Sequence, residues 1–137
     1  MMDQRLHFSI KGDSRGSLIA IESGKDIPFD IKRIYYIFDT QPGVVRGHHA
    51  HKTLEQMLIC VSGSCTIVLD DGENRSEVVL SNPSEGLYIG PNLWREMKDF
   101  SEGAVLLVLA SDFYDEADYI RNYDEFMSYI RSSHRVE

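Results

Sequence analysis

No apolar run in the sequence is long enough to cross a bilayer. The longest, Ala104 to Ala110, stops far short of the ~18 residues a membrane helix needs. The opening MMDQRLHFSI lacks the apolar core of a signal peptide, so the cytoplasm is the expected address. Cysteine is scarce. Cys60 and Cys65 flank the turn Ser62–Ser64; they are too few for a zinc ribbon, and in a reducing compartment they are expected as reduced core thiols. Positive charge is short as well. The 14 Lys and Arg stand against 22 Asp and Glu, a net charge of -8, which argues against a nucleic-acid surface. No repeat, linker or low-complexity stretch divides the chain, so residues 1–137 are expected to form one domain with a real core.

What the chain has in abundance is short strand signals. Leu6, Phe8 and Ile10 alternate with polar residues, and Leu18 to Ile21 follows the turn KGDSRG. Ile31 to Phe38 is rich in β-branched and aromatic residues, and its alternation puts Ile31, Arg33, Tyr35 and Ile37 on one face. Further strands are expected over 44–51, 54–61, 65–69, 75–80, 87–89 and 93–97, separated by turns such as Asp70-Asp71-Gly72. Ala104 to Ser111 reads as a strand buried on both faces. Beyond it, Phe113, Ala117, Ile120, Tyr123, Met127 and Ile130 recur at helical spacing. That pattern predicts a helix over about 115–131, capped by Asp112 or Asp115. Many short strands and one terminal helix predict an all-β sandwich or barrel over about 5–111, with room for one ligand in its mouth.

The densest chemistry lies in GVVRGHHAHKTLEQMLICVSG, from Gly43 to Gly63. It holds three of the five histidines, His48, His49 and His51. On a strand His49 and His51 point to one face and His48 to the other. Two imidazoles facing one cavity are either part of a metal site or an acid–base pair. Arg33, Arg46, Lys52 and Arg95 lie in or near the segments that carry the histidines or the single tryptophan, Trp94. Cations gathered at one place in an acidic chain point to an anionic ligand.

Gly43, His49, His51 and Gly63 stand in register with the first motif of the cupin superfamily, G-x5-H-x-H-x4-E-x6-G. The acidic position holds Gln56, with Glu55 beside it. The second motif is degraded: Pro91 is kept, but Leu93 replaces a glycine and Glu96 a histidine. The resemblance implies a cupin double-stranded β-helix, a jelly-roll barrel, here with a C-terminal α-helix. Cupin metal sites usually take three imidazoles and a carboxylate. This chain offers two imidazoles and an amide, a poor ligand for iron or zinc, and His7 and His134 lie near the termini. No metal is expected, and proton transfer by histidine near neutral pH becomes the favoured chemistry.

A closer resemblance rests on DSRGSL, IKRIYYIF, RGHHAHK followed by Gln56, LDDG, GLYIGPNLW and LVLASDFYDEADYIRNYDEF. Together, from Asp13 to Phe126, they resemble the sugar-nucleotide 3,4-ketoisomerases, WxcM-like cupins acting on dTDP-4-dehydro-6-deoxyglucose. The resemblance implies movement of the ketone from carbon 4 to carbon 3 through an enediol, with no cofactor and no metal, on the way to an amino sugar. It implies His49 and His51 as the acid–base pair, with His51 favoured as the main base. Tyr35 is the candidate to polarise the ketone. Arg33 and Arg46 are candidates for sugar oxygens or diphosphate, Gln56 for sugar hydroxyls or a histidine, and Lys52 for charge at the periphery. Trp94 and Arg95 are expected at the rim of the barrel mouth. Arg15 and Arg95 are the positions where configuration at carbon 4 is expected to be set, with a lean to galacto. A homodimer with exchanged N-terminal strands is also implied. Three other readings compete: a dTDP-sugar 3,5-epimerase, a metal-dependent cupin oxygenase, and a non-catalytic sugar-binding cupin.

Overall fold

The computed structural model describes residues 4–133. In chain order its elements are β1 (Arg5–His7), β2 (Lys11–Asp13), β3 (Gly16–Leu18), β4 (Arg33–Ile37), β5 (Arg46–His51), β6 (Gln56–Ser62), β7 (Cys65–Asp70), β8 (Arg75–Leu80), β9 (Glu85–Ile89), β10 (Trp94–Lys98) and β11 (Val105–Ala110). A 3₁₀ turn (Glu116–Asp118), β12 (Tyr119–Ile120) and α1 (Tyr123–Ser133) complete it.

Alternating side chains sort the strands into layers. One antiparallel sheet runs β1-β9-β6-β11-β4 and the other β12-β5-β10-β7-β8. Their inner faces meet in a core that includes Leu58, Leu106 and Val108 from the first sheet and Ile67, Leu69 and Met97 from the second. This is the jelly-roll expected for a cupin. β11 is buried on both faces, as its unbroken apolar run predicts: Val108 faces the core, while Leu109 packs outward with Met57, Ile59 and Phe29. Cys60 and Cys65 are buried and not disulfide-bonded. Among the described residues no helix is long and apolar enough to cross a membrane.

The segment after β11 departs from the expected helix over 115–131. Only Tyr123–Ser133 is α-helical. Asp115 does cap, but it caps the 3₁₀ turn, its side chain accepting from the Ala117 amide. Residues 119–120 then pair with β5, Tyr119 opposite His51 and Ile120 opposite Ala50. Pairing to β5 satisfies backbone groups that a helix would satisfy internally, so tertiary contact overrides the helical spacing. Asn122 starts the real helix: its side chain accepts from the Glu125 amide. α1 buries Phe126 and Ile130 against Ala50 and Trp94 on the outer face of the second sheet, a contribution of about 1.5–3 kcal/mol per side chain.

The N-terminal region also differs from expectation. The strand expected over 18–21 forms instead over Gly16–Leu18 and pairs only with β2. Ile19 and Ile21 carry no strand pairing and pack on the outer apolar cluster of the first sheet.

Candidate active site

The site forms because three strands place polar side chains on their inward faces at one end of the barrel. β5 supplies His49 and His51, β6 supplies Gln56, and β10 supplies Arg95; all four are buried, and His51, Gln56 and Arg95 are 0% exposed. β4 adds Arg33 and Tyr35 on its inward face. A cavity of about 340 Å³ opens here, lined by Arg33, Tyr35, Arg46, His49, Tyr119 and Arg121 among others. That lies within the size range of small-ligand pockets.

A β-bulge shapes the histidine strand. Arg95 lies opposite His49, Glu96 opposite Gly47 and Met97 opposite Arg46, leaving His48 as the extra residue. Gly47 has φ 90° and His48 φ 49°, a left-handed kink that glycine makes without a Cβ penalty. A Cβ at position 47 would also press on the Arg95 carbonyl oxygen at 3.2 Å. The bulge leaves His48 on the outer face and brings Arg46 back to the cavity side.

Hydrogen bonds fix both rings. His49 Nδ1 lies 2.9 Å from the Gly47 carbonyl oxygen, which can only accept, so Nδ1 carries the proton. His51 Nδ1 lies 2.9 Å from Asp118 Oδ2. Burial alone would raise the Asp118 carboxyl, but hydrogen bonds from Thr53 and His51 hold it below the usual range, so it accepts there too. Each ring therefore presents the Nε2 lone pair, and both Nε2 atoms are buried without a partner. Burial, reinforced by the Arg95 charge, pushes His49 down to about 3 and His51 down to about 4. Both imidazoles are thus neutral near pH 7. The rings sit edge to face with centroids 4.9 Å apart, and Tyr119 packs 4.4 Å from His51.

A second chain of hydrogen bonds runs through the floor. Arg95 Nη1 donates to Gln56 Oε1 at 2.6 Å, and Gln56 Nε2 donates to the Tyr35 hydroxyl at 3.0 Å. The hydroxyl therefore accepts from the amide and keeps its own proton to give. Burial raises the Tyr35 phenol above its ordinary value, which keeps that proton in place. Among the described residues Arg95 has only Gln56 and the Leu93 carbonyl oxygen as hydrogen-bond partners, and burial lowers it to about 10, still a cation near pH 7.

These contacts do not fit a cupin metal. The amide oxygen that would face the ion accepts from a guanidinium. Glu55, beside it in sequence, accepts from the Tyr88 hydroxyl at 2.6 Å, and Glu96 accepts from Trp94 Nε1 at 2.9 Å.

Of the residues named from the sequence, His49, His51, Tyr35, Gln56, Arg33, Arg46 and Arg95 come together. Trp94 does not. It neighbours Arg95 on β10, and strand alternation turns it to the outer face, where it packs on Phe126. Lys52 also points away, with Nζ over the Tyr129 ring. Arg15 lies on the exposed β2–β3 turn, ion-paired with Asp13, outside the cavity of its own chain. The sequence reading missed Asp118, Tyr119 and Arg121, because all three lay in the segment expected to be a helix. Arg121 stacks on Tyr119 at 4.1 Å and pairs with Glu116 at the mouth.

The family model described as FdtA: WxcM-like, C-terminal matches residues 2–131. The chain belongs to this family. A relative from Aneurinibacillus thermoaerophilus, a TDP-4-oxo-6-deoxy-alpha-D-glucose-3,4-oxoisomerase, is 57% identical over 130 residues, covering 95% of this chain and 94% of its own. The solved WlaRB TDP-quinovose 3,4-ketoisomerase of Campylobacter jejuni is 62% identical at TM-score 0.88, covering 92% of this chain and 97% of that one. A histidine-to-asparagine mutant of the QdtA 3,4-ketoisomerase of Thermoanaerobacterium thermosaccharolyticum, solved with TDP-4-keto-6-deoxyglucose, is 48% identical at TM-score 0.94, covering 98% and 97%. The site described above is that of a family member whose relatives are named as sugar-nucleotide ketoisomerases.

Proposed function

We propose that this chain isomerises TDP-4-keto-6-deoxyglucose, moving the ketone from carbon 4 to carbon 3 by histidine acid–base chemistry. The observation that carries the reading is the pair of neutral imidazoles, each anchored through Nδ1 and each with an unpartnered Nε2, beside a buried cation and a phenol donor. In the first step the carbon 3–hydrogen bond breaks and its proton passes to an imidazole Nε2. The electron pair forms the carbon 3–carbon 4 double bond, and the carbonyl pair moves onto the carbon 4 oxygen. Tyr35 donates to that oxygen, and the Arg95 charge steadies the enediolate. The imidazolium then returns its proton to carbon 4 while the carbon 3 hydroxyl proton passes, by way of Tyr35, to the carbon 4 oxygen, leaving the ketone at carbon 3 and a hydroxyl at carbon 4. His49 lines the cavity and His51 stands behind it, so His49 meets the sugar and His51 supports the proton transfer, a division opposite to the one expected from sequence. Arg33, Arg46 and Arg121 at the mouth take the diphosphate.

At carbon 4 the reading favours gluco over the galacto expectation. Arg95 stands in the site while Arg15 lies outside it, and the Campylobacter jejuni relative is named for quinovose, the 6-deoxy sugar of gluco configuration. A product of this kind suits an aminotransferase acting at carbon 3. Proton NMR of the product formed from TDP-4-keto-6-deoxyglucose tests activity and configuration together. A ketone remaining at carbon 4 overturns the isomerase reading. Exchange of the carbon 5 proton in deuterated water would instead favour the 3,5-epimerase reading, which the His51–Asp118 pair also suits.

The homodimer belongs to the same proposal. β4 is an edge strand among the described residues, with Ile34 and Tyr36 exposed on its outer face and Phe38 exposed just beyond its end, and the β2–β3 hairpin exposes Leu18. Unpaired edges and bare apolar side chains of this kind are normally covered. Sedimentation as a monomer would remove the dimer from the reading.

A further inference from the structure

The structure assigns Asp118 a part in this reaction: we infer that it is a positioning residue, holding His51 in the tautomer whose Nε2 is free and steadying the imidazolium when that nitrogen takes a proton. The inference rests on the isomerase reading above and deepens it.

Asp118 reaches the site from the 3₁₀ turn, 67 residues along the chain from His51. Its two oxygens are divided. Oδ1 accepts from the Thr53 amide at 2.8 Å and from Thr53 Oγ1 at 2.9 Å. Oδ2 accepts from His51 Nδ1 at 2.9 Å. The segment is already tied to β5 by the β12 pairing, by the Oδ1 contacts and by the Lys52 amide, which donates to the Asp118 carbonyl oxygen at 3.0 Å. The bond from Oδ2 adds little to that tie. It fixes the imidazole.

The two histidines differ in this respect. His49 sets its Nδ1 proton against a carbonyl dipole, whereas His51 sets its own against a full negative charge. Arg95 and Arg33 are the cations that bear on His51, and His49 and Tyr119 are the rings packed against it. Asp118 is the anion that offsets them. A proton shared by the pair is therefore more stable on His51. A carboxylate behind an imidazole controls which nitrogen is free; replacing it by an amide allows the amide to donate to Nδ1 and moves the ring proton to Nε2, where His51 can no longer support the proton transfer.

The test uses the full-length protein. Asp118→Asn is expected to lower kcat by at least about 100-fold while KM for TDP-4-keto-6-deoxyglucose changes by no more than about threefold. Nitrogen-15 NMR of the His51 ring is expected to show the proton on Nδ1 in the wild-type protein and on Nε2 in the variant. Asp118→Glu should recover part of kcat. Thr53→Val cuts one Oδ1 bond but keeps the Oδ2 contact, and should leave the His51 ring proton on Nδ1. The inference is overturned if Asp118→Asn keeps kcat within threefold, or if Thr53→Val lowers kcat and moves the ring proton as Asp118→Asn does. Should Asp118→Asn fail to fold, an Nε2 proton on His51 in the wild-type protein would overturn it by itself. That measurement needs no turnover, so it separates failure of this inference from failure of the isomerase reading.

Discussion

The two ends of the barrel are built from the same strands, yet they carry opposite chemistry. β6 turns Gln56, Leu58 and Cys60 inward, each 0% exposed. β10 turns Arg95 and Met97 inward, both buried. At one end the inward side chains are apolar and pack on their counterparts from the other sheet. At the other they are an amide, a guanidinium and two imidazoles, with two Nε2 atoms left without partners. Burial of such groups costs stability unless every polar atom is satisfied. The apolar end therefore holds the fold, and the polar end keeps reactive groups poised at the expense of stability. This division can be broken or sharpened experimentally.

The largest effect is expected at the polar end. His49→Asn or His51→Asn should lower kcat by about a thousandfold, roughly 4 kcal/mol of barrier, with TDP binding near normal. Full turnover in either variant would remove that residue from the pair. At the apolar end, Leu58→Ala should cost about 2–5 kcal/mol in urea unfolding through the cavity it leaves, while KM of the folded enzyme stays unchanged. A shift in KM would show that the two ends are coupled.

Acid should act on the polar end first. Both histidines titrate near 6.5 in the unfolded chain, and in the fold at about 3 for His49 and about 4 for His51, through burial and the Arg95 charge. Between these values the unfolded chain binds more protons. Stability is thus complete above pH 6.5 and falls as pH drops toward 4, by roughly 1 kcal/mol per pH unit for each histidine. Thermal unfolding across that range should show a shallower slope in His49→Asn. Arg95→Met should change stability by under about 1 kcal/mol, because relief of a buried charge offsets the hydrogen bonds lost to Gln56 and Leu93. Its turnover should nonetheless fall. A large loss of stability would make Arg95 a structural residue. The smallest effect is expected from Lys52→Ala, outside both ends, with kcat and KM each within about twofold.

Much of this division was legible in the sequence. Alternation alone put Arg33 and Tyr35 on one face of β4 and His49 with His51 on one face of β5, and turned His48 away. The same rule separates Trp94 from Arg95, and applying it to that pair would have kept Trp94 out of the site. Arg46 was harder. Counted back from His49 by simple alternation it falls on the outer face, and only the bulge at His48 returns it to the cavity.

The sequence by itself determined the strands from β4 to β11, their inward faces and the histidine pair, because a period of two residues is a local property of the backbone. Tertiary structure decided what stands behind those histidines. Asp118, Tyr119 and Arg121 lie in a segment whose apolar spacing suits a helix, and it becomes a turn and a short strand because its backbone hydrogen bonds go to β5. Contacts of that range depend on where the whole chain folds back, and no local period records them.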